Sequence, residues 1–431
     1  MWCEEAQYSI LDDETVLSPD QVHAAREWRP TTHAERRGVG CMYGNAIGDA
    51  LGSPLEFSAV RYDLEEHEVT GFDDTSVWTS PGRNRFSLRP GQFTDDFSMG
   101  LCMADSLVVC GRFDPIDMRT RFGRWWNAGY NTAFGFSPFA QDRIRRAVGL
   151  GGNIGASLTE FKENGSMYTE AGNYATSGNG SIMRMAPISV FYSRSHDNAD
   201  DVDALHLGRA VAYGQSKTTH KGDEAADCAR LLAHICISAI NRESWEDTTF
   251  AEWIDGSDVL ASFPAYTYSV QCMAASQNEE PHPSNANLEL ADRVWNWKDP
   301  EYRYCPRRAK SQPGYIGSYA MDALAMALHA VYTTDSFSSA VLKVINYRGD
   351  ADSVGAVAGQ IAGAFYGVDS VPDEWISAVE TYARDGDIGL KSALLLLVPH
   401  SPNPDEPPPS SPSERQAPTA PTAPDAGDGA E

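Results

Sequence analysis

Residues 43–52, YGNAIGDALG, and residues 354–363, VGAVAGQIAG, carry glycine at every fourth position. Residues four apart lie on the same face of an α-helix, so each segment predicts a helix with a smooth glycine stripe. Such stripes allow close approach of two backbones, and we expect the two helices to pack through them or against one neighbour. Dense packing without any functional role also explains the glycines alone.

Two short motifs place acidic and hydroxyl side chains at the start of apolar, helix-periodic segments: Thr94, Asp95 and Asp96 in one, and Asp350, Asp352 and Ser353 in the other. Together they offer oxygen ligands only, which hard divalent cations such as Mg²⁺ and Mn²⁺ prefer. Four carboxylates exceed what one such ion normally takes from protein, so the motifs predict a two-metal centre. If the glycine-striped helices pack together, Asp49 and Glu56 come near Asp350 and Asp352. Helix capping is the alternative explanation for the first motif.

The D-x-D pattern that begins at Asp350 also occurs in two unrelated classes of site. An EF-hand loop fails, because Val354 and Ile361 stand where oxygen ligands belong. A haloacid-dehalogenase-type phosphohydrolase remains an alternative, with Asp223 and Asp227 in its later acidic motif. Its motifs would stand in reversed order here, and the β/α alternation that it needs is not evident.

Residues 177–181, SGNGS, precede a segment that reads as a helix. Small residues with free backbone amides at a helix start form a concave donor surface that suits phosphate oxygens, although an ordinary glycine-rich turn has the same composition. His220 follows an amphipathic stretch, and a lone histidine is more often structural than functional. Metals, a phosphate cradle and an aromatic-rich stretch together indicate a nucleotide-sugar diphosphate substrate.

The composition indicates an acidic globular protein. In 431 residues, 34 Lys and Arg stand against 60 Asp and Glu, which gives a net charge of −26. This charge repels nucleic acid, and no basic patch is evident along the chain, so we expect no nucleic-acid partner. Eight cysteines without short regular spacing predict reduced core thiols. Neither a secretory signal nor a membrane span of ~18–20 apolar residues is evident, so we expect a cytoplasmic protein with no membrane partner.

The pattern along the chain divides it into a body with two appendages. Residues 1–37 are polar and acidic, with a short helix expected near Ser18, and form an extension that acts as a lid or a partner-binding arm. Residues 38–400 are mostly helix-periodic, with an aromatic- and proline-rich insertion at about 255–313. Residues 401–431 are rich in Pro and Ala and too poor in large apolar residues to fold, so we expect a disordered tail.

Four segments, in the same order, resemble the ADP-ribosylglycohydrolase family: GNAIGDALGSPLEF at 44–57, GQFTDDFSM at 91–99, SGNGSIMRMAPIS at 177–189 and GDADSVGAVAGQIAGAFYG at 349–367. That family includes the enzyme that reactivates ADP-ribosylated dinitrogenase reductase and the vertebrate ADP-ribosylarginine and ADP-ribosylserine hydrolases. The resemblance implies an all-α, orthogonal multi-helix bundle with a binuclear metal cleft that holds two Mg²⁺ or Mn²⁺ ions.

The resemblance also implies roles for individual residues. By motif match the metal ligands are Thr94, Asp95, Asp96, Asp350, Asp352 and Ser353. The implied catalytic set is Glu56, Asp95 and Asp352, with Glu56 in an acid/base or substrate-gating role. The implied substrate contacts are Gly178, Asn179, Gly180, Ser181, His220 and Tyr315.

Three positions depart from the residues that many family members carry: Phe97, Arg348 and Ser353. Serine keeps the ligand oxygen of the more frequent threonine. Arg348 has the reach to contact a substrate phosphate or a carboxylate of a partner, so this departure bears on substrate preference more than on catalysis.

The activity that the resemblance implies is removal of mono-ADP-ribose from protein, by attack of water at C1″ of the distal ribose. Arginine is the favoured linkage, and serine-linked ADP-ribose, O-acetyl-ADP-ribose and poly(ADP-ribose) stay open. An alternative of another class is an immunity protein that neutralises an ADP-ribosyltransferase through residues 1–37. A third is a protein that binds ADP-ribose without cleaving it.

Overall fold

The computed structural model describes residue 10 and residues 17–62, 67–134, 147–173, 175–194, 204–243, 248–279, 293–303, 306–383 and 388–401. Within them lie seventeen α-helices and no strand, apart from two isolated β-bridges that join Ser58 to Gly349 and Gly178 to Tyr319. The predicted all-α class is confirmed. The phosphohydrolase interpretation, which requires alternating strands and helices, is wrong. The tail proposed from residue 401 lies outside the described residues from position 402 onward.

The first nine helices are α1 (Pro19–Glu27), α2 (His33–Gly52), α3 (Ser76–Thr79), α4 (Asp95–Cys110), α5 (Pro115–Ala128), α6 (Gly152–Asn164), α7 (Ala186–Phe191), α8 (Ala204–Lys217) and α9 (Asp223–Ile240). The remaining eight are α10 (Phe250–Gly256), α11 (Tyr268–Ala274), α12 (Pro306–Ser311), α13 (Ala320–Tyr332), α14 (Phe337–Asn346), α15 (Ala351–Tyr366), α16 (Asp373–Glu380) and α17 (Ile388–Leu397).

The glycine stripes of α2 and α15 face each other in the centre of the molecule. A Cβ added to Gly44 would lie 2.0 Å from the carbonyl oxygen of Gly359, and one added to Gly48 would lie 2.0 Å from that of Gly355. The stripe extends one turn further than the sequence analysis recognised, because Gly40 meets Gly363 in the same way. Only glycine allows this backbone contact, so the structure has the first of the two predicted arrangements, direct packing through the stripes.

This antiparallel pairing brings the C-terminal end of α2 to the N-terminal end of α15. Nearly every residue of both helices is buried, and α13, α14 and α9 pack around α15. The amides of Asn45 and Gln360 each donate to the carbonyl oxygen of Met183, at 2.8 and 3.1 Å. The central pair therefore also holds the chain just after the SGNGS segment in place.

Several outer segments are packed onto this body. Leu17 and Ala25 are buried, α1 contacts α17, and α2 already begins at His33. In the proposed insertion, Trp297 is fully buried and its indole N–H donates to the carbonyl oxygen of Met273 at 2.8 Å. All six described cysteines are free, and five of them are buried, as predicted for core thiols. None of the described helices combines the length and the apolar character that crossing a bilayer requires.

A buried ion pair fastens α17 to α4. Lys391 Nζ lies 2.7 Å from Asp105 Oδ1, and neither side chain is exposed. Tyr130 and Asn131 donate to the other Asp105 oxygen at 2.6 and 2.8 Å. We expect Lys391→Ala to lower the free energy of unfolding by about 3–5 kcal/mol, because Asp105 would keep a buried charge without its cation. Urea denaturation measures this loss.

The double variant Lys391→Met with Asp105→Asn is the matched control for that prediction. It removes both charges at similar side-chain size, and we expect it to recover most of the lost stability. A loss below about 1 kcal/mol in Lys391→Ala would contradict the structural role of the pair.

Candidate metal centre

Three helix ends meet at one edge of the central pair. The end of α2 supplies Asp49 and, four residues after the helix, Glu56, while the starts of α4 and α15 supply the two acidic motifs. A helix N-terminus stabilises nearby negative charge, because its first backbone N–H groups point out of the helix. Both acidic motifs therefore stand at helix starts, and the glycine contact between α2 and α15 brings the third end to them.

The carboxylates converge in two groups of three. Ligand oxygens of Asp49, Asp96 and Asp352 all lie within 4.8 Å of one another, and so do those of Glu56, Asp350 and Asp352. Asp352 belongs to both groups. The predicted approach of Asp49 and Glu56 to the second motif is confirmed, and the shared Asp352 joins the two groups.

Asp49 has a structural task that the sequence analysis did not foresee. Its carboxylate accepts hydrogen bonds from the backbone N–H groups of Thr94, at 2.9 and 3.0 Å, and of Phe97, at 2.9 Å. The hydroxyl of Thr94 also lies 2.9 Å from Asp49 Oδ1 and 3.1 Å from Asp96 Oδ2. Asp49 thus caps the start of α4 from another helix and sets the position of the first motif.

Burial dominates the electrostatics of the cluster. It raises the pKa of Asp49 to about 6, although the hydrogen bonds from Phe97 and Thr94 act in the opposite direction. Burial and then the charges of neighbouring carboxylates hold the pKa of Glu56, Asp96 and Asp352 well above the usual range. Mutual repulsion among these buried carboxylates disfavours their charged forms.

The residues present fit a divalent metal. Asp96 Oδ1 and Glu56 Oε2 are buried side-chain oxygens without a hydrogen-bond partner among the described atoms. A buried oxygen of this kind costs free energy unless something binds it. The donor set consists of oxygen atoms only, which are the ligands that hard divalent cations prefer. These buried acidic triads are therefore able to hold metal ions.

A cavity of 390 Å³ opens beside the acidic cluster. Most of the residues implied by the resemblance line it: Glu56, Asp95, Asp96, Gly178, Asn179, Gly180, His220, Tyr315, Asp350, Asp352 and Ser353. Thr94 and Ser181 do not line it. The Thr94 hydroxyl faces Asp49, and the fully buried Ser181 hydroxyl accepts a hydrogen bond from Ser216 at 2.9 Å.

One wall of the cavity consists of residues that the sequence analysis did not predict to be part of the site. Residues 149–153, GLGGN, run along it and lead into α6, whose N-cap Gly151 provides no side-chain cap. Gly149 has a φ of +85°, and a Cβ there would lie 1.7 Å from Asp95 Oδ1. Three glycines within four residues at the start of a helix are the sequence feature that could have indicated this wall. Among the described residues the first backbone N–H groups of α6 have no side-chain cap, so this wall adds a second glycine-rich segment that is able to donate hydrogen bonds.

The SGNGS segment is fixed between the acidic cluster and residues 317–319. Asn179 donates from Nδ2 to the carbonyl oxygen of Gly317 at 2.9 Å and to Asp350 Oδ2 at 3.2 Å. Its backbone N–H donates to the carbonyl oxygen of Ser318 at 3.1 Å. The turn that includes Ser318 leads into α13 at Ala320, and Tyr315 and Ser318 line the cavity.

His220 and Tyr315 lie in different parts of the cavity wall. His220 is buried with Nδ1 2.9 Å from the Thr219 hydroxyl, and burial together with the charges of Arg184 and Lys217 lowers its pKa to about 3. Its ring is therefore neutral at physiological pH. Tyr315 is 52% exposed, and its ring centroid lies 5.2 Å from that of Phe57 at the mouth.

The structure shows what each of the three residues that depart from the family pattern contacts. Phe97 is fully buried and donates its backbone N–H to Asp49, while Ser353 lines the cavity. Arg348 pairs with Glu68, at 2.7 Å, instead of entering the cavity. The acidic residues of the alternative phosphohydrolase motif are used elsewhere, since Asp227 pairs with Arg230 at 2.6 Å.

Comparison with known proteins gives the same assignment. The family model of the ADP-ribosylglycohydrolases matches residues 30–401. The chain belongs to the ADP-ribosylglycohydrolase family. As a member it is a hydrolase of ADP-ribosyl bonds, and the predicted family and enzyme class are confirmed.

Individual relatives of this family differ in their coverage of the chain. The ADP-ribosylarginine hydrolase Tri1 of Pseudomonas putida (strain GB-1) is 32% identical over 345 residues, which cover 80% of this chain and 74% of that protein. The protein of the same name from Serratia proteamaculans (strain 568) is 28% identical over 385 residues, covering 88% and 86%. A solved structure of an ADP-ribosylglycohydrolase-related protein complex superimposes with a TM-score of 0.56 at 26% identity, covering 85% of this chain and 99% of that one.

The raised pKa values of this ADP-ribosylglycohydrolase predict an unusual stability profile. The folded, metal-free protein holds protons that the unfolded chain loses near pH ~4, so its free energy of unfolding falls as the pH rises through about 6 and beyond. We expect a lower melting temperature in EDTA at pH 8 than at pH 5. Added Mg²⁺ should raise the melting temperature more at pH 8, where more carboxylates are charged.

Asp352→Asn serves as the control, because it removes one carboxylate shared by both groups and should reduce the dependence on pH in EDTA. A metal-free wild-type protein that melts higher at pH 8 than at pH 5 would contradict the assigned electrostatics.

Proposed function

We propose that this protein is a Mg²⁺- or Mn²⁺-dependent hydrolase that removes mono-ADP-ribose from arginine side chains of proteins. The observation that carries the proposal is the pair of buried acidic triads that share Asp352 at the wall of a cavity with two glycine-rich, amide-bearing segments. Such a cavity offers anionic metal ligands at one end and backbone donors for a diphosphate beside them.

Two metal ions would be held by one hydroxyl and by the carboxylates of the cluster that have no other assigned role: Asp95, Asp96, Asp350, Asp352 and Ser353. Bound Mg²⁺ or Mn²⁺ supplies Lewis-acid polarisation and makes hydroxide available near neutral pH. Thr94 is better assigned as a positioning residue, since its hydroxyl faces Asp49 in this structure. The expected ligand set thus differs from the motif match at this one position.

Glu56 is suited to protonate the leaving group. Its Oε2 is buried without a hydrogen-bond partner among the described atoms, and burial and then the charges of Asp350 and Asp95 raise its pKa, which favours the protonated form that a general acid needs. In the proposed reaction the C1″–N bond to arginine breaks, and the guanidine nitrogen receives that proton. A water oxygen forms the new bond to C1″, and the water's proton goes to a carboxylate of the cluster, which yields free ADP-ribose.

The glycine-rich segments would bind the diphosphate and the sugars. The backbone N–H groups at the start of α6, after Gly151, and of the turn at Gly178 and Gly180 are suited to phosphate oxygens. His220, which is neutral, can donate or accept a hydrogen bond without repelling a cation. The exposed ring of Tyr315, with the half-buried ring of Phe57 beside it, is suited to contact the adenosine part.

Arginine is the proposed linkage because the relatives with the names ADP-ribosylarginine hydrolase cover most of this chain. The test is release of ADP-ribose from one protein modified on arginine and from another modified on serine, each with Mg²⁺ and with EDTA. Release from the arginine-linked protein alone supports the proposal. Release from the serine-linked protein alone would replace the linkage, and binding of ADP-ribose without release would indicate a binding protein.

The alternative of a transferase-neutralising arm is confined to a short segment. Leu17 is buried and α1 lies against α17, so residues 17–37 form part of the body. An arm would have to be built from residues 1–16, which lie outside the described residues except for Ile10. Deleting residues 1–16 should leave catalysis unchanged, and loss of transferase binding in that variant would support the arm.

A further inference from the structure

We propose that Arg184 and Thr219 are positioning residues that fix His220 as a hydrogen-bond donor, with its proton on Nε2, toward an oxygen of the substrate. The acceptor is an oxygen of the diphosphate or of the sugar beside it, since these groups would lie against the turn at Gly178 and Gly180. The inference rests on the proposed function and adds to it two residues that do not line the cavity themselves.

Arg184 is a fully buried cation behind the cavity. Among the described residues its guanidinium has uncharged partners: Gln215 Oε1 at 3.3 Å, the Thr219 hydroxyl at 2.7 Å, Met99 Sδ at 3.5 Å and the ring of Phe122, whose centroid lies 4.4 Å from the guanidinium carbon. Burial lowers the pKa of Arg184 only to about 9, so it is charged at neutral pH. A buried charge without an opposite charge costs free energy, which indicates that this one has a task beyond packing.

Gln215 fixes the direction of the guanidinium. Its Oε1 accepts hydrogen bonds from both Nε and Nη2 of Arg184, and its own Nε2 donates to the carbonyl oxygen of Ser181 at 2.8 Å. The Gln215 side chain is fully buried. Because Ser181 belongs to the SGNGS segment, the guanidinium and that turn form one connected unit. Nη2 of Arg184 is therefore held toward Thr219.

The partners of the Thr219 hydroxyl decide the tautomer of His220. A guanidinium only donates, so the Thr219 oxygen accepts from Arg184 Nη2. The Thr219 O–H then has one acceptor among the described atoms, Nδ1 of His220 at 2.9 Å. With the proton on Nδ1 instead, the buried hydroxyl hydrogen would have no acceptor, and an N–H would point toward the charge of Arg184; both cost free energy. Nδ1 is therefore the acceptor, and the proton of the neutral ring is on Nε2.

The same contacts disfavour a charged His220 ring. A charged ring donates from both nitrogens, so it would leave the Thr219 hydroxyl hydrogen without an acceptor. Burial and then the charges of Arg184 and Lys217 lower the pKa of His220 to about 3. The ring is thus a neutral molecule with one N–H and one acceptor nitrogen, and the acceptor is already occupied.

Nε2 of His220 faces the SGNGS turn in the cavity wall. A Cβ added to Gly178 would lie 3.5 Å from this atom, and one added to Gly180 would lie 3.2 Å from it. His220 lines the cavity, and no described atom accepts a hydrogen bond from Nε2. The N–H is therefore available to a bound molecule, and the phosphate and hydroxyl oxygens of ADP-ribose are acceptors of the required kind.

The first test is the tautomer of His220 in the full-length wild-type protein. With nitrogen-15-labelled histidine, two-bond proton–nitrogen correlation spectra distinguish a ring nitrogen that carries a proton from one that does not. The His220 signals are those that disappear in His220→Ala. A proton on Nε2 alone supports the inference. A proton on Nδ1, or a charged ring at neutral pH, would overturn it without any variant of Arg184 or Thr219.

The second test is Thr219→Val, which removes the hydroxyl at nearly the same side-chain size. We expect part of the His220 population to carry its proton on Nδ1. The affinity for ADP-ribose, measured by calorimetry with Mg²⁺, should fall about tenfold, which corresponds to about 1.4 kcal/mol. Thr219→Ser keeps the hydroxyl and should restore both the spectrum and the affinity.

The same spectra test Arg184 directly. Arg184→Met removes the charge at similar length and should also produce a mixture of tautomers. An unchanged His220 spectrum in a folded Arg184→Met protein would overturn the role of Arg184. If this variant does not fold, the wild-type spectrum and Thr219→Val still decide the inference.

Thr218→Val is the matched control. Thr218 is equally buried, but its hydroxyl donates to the carbonyl oxygen of Gln215 at 2.6 Å and not to His220. We expect this variant to keep the wild-type spectrum and affinity. Equal losses of affinity in Thr218→Val and Thr219→Val would indicate a merely structural role and overturn the inference.

A double variant shows whether Thr219 acts through His220. In the His220→Ala background, Thr219→Val should cause little further loss of ADP-ribose affinity, whereas additive losses would contradict the inference. None of these measurements requires turnover. Absence of ADP-ribose release together with the expected spectra and affinities would contradict the proposed function alone, and full release by a protein with the proton on Nδ1 would contradict this inference alone.

Discussion

Asp352→Asn is expected to lower kcat/KM for ADP-ribose release by on the order of 10³-fold or more, because Asp352 is shared by both acidic triads. Its loss takes a ligand from each proposed metal position, and metal polarisation of substrate and water accounts for several kcal/mol of the barrier. The measurement is the rate of release from arginine-modified protein at saturating Mg²⁺.

The stability of the same variant separates a catalytic effect from misfolding. Burial and the charges of Glu56 and Asp96 raise the pKa of Asp352, so a neutral amide should leave the melting temperature in EDTA unchanged or higher. Asp373→Asn, which changes an exposed carboxylate at the start of α16, is the matched control and should keep full activity. Asp352→Asn with activity near that of the wild type would contradict the metal assignment.

Gly44→Ala is expected to reduce the free energy of unfolding by about 4 kcal/mol or more, or to prevent folding. The added Cβ would lie 2.0 Å from the carbonyl oxygen of Gly359 and 2.6 Å from its carbon, and these are backbone atoms that cannot rotate away. Overpacking at such a position forces the two central helices apart along their whole contact. Urea denaturation of the purified variant measures the loss.

Gly256→Ala makes the same chemical change where no atom lies within 4 Å of the new Cβ. We expect that control to be neutral or to stabilise by up to about 1 kcal/mol. A Gly44→Ala protein as stable as Gly256→Ala would contradict the close backbone contact between α2 and α15. Since that contact also aligns the acidic motifs, we expect weakened metal binding in any partly folded Gly44→Ala protein.

Periodic and local features could be predicted from the sequence. The four-residue glycine spacing predicted both central helices and, as one of two arrangements, their direct contact, because residues four apart share one helix face. The oxygen-rich motifs predicted the acidic cluster, since hard cations require such ligands. The short helix after Ser18 was also predicted correctly, because Ser18 caps α1 and Pro19 stands at its first position.

Features that are formed by segments far apart in the sequence could not be predicted from the sequence. Asp49 caps α4 from another helix, and its partners at Thr94 and Phe97 are set only by the fold.

The glycine-rich wall at 149–153 shows a different limit. Its sequence carried a signal, but a glycine cluster before a helix is typical of many turns. Only the contact between Gly149 and Asp95 and the position of α6 make it part of the cavity.

The most direct measurement is a metal titration of protein that has been stripped with EDTA, with bound Mn²⁺ and ADP-ribose release recorded on the same samples. The account predicts no release without metal, two Mn²⁺ bound per chain, and turnover that rises with occupancy of the centre and is lost in Asp352→Asn. Full turnover in the stripped protein, or Mn²⁺ binding that Asp352→Asn leaves unchanged, would contradict a metal centre built on the two acidic triads.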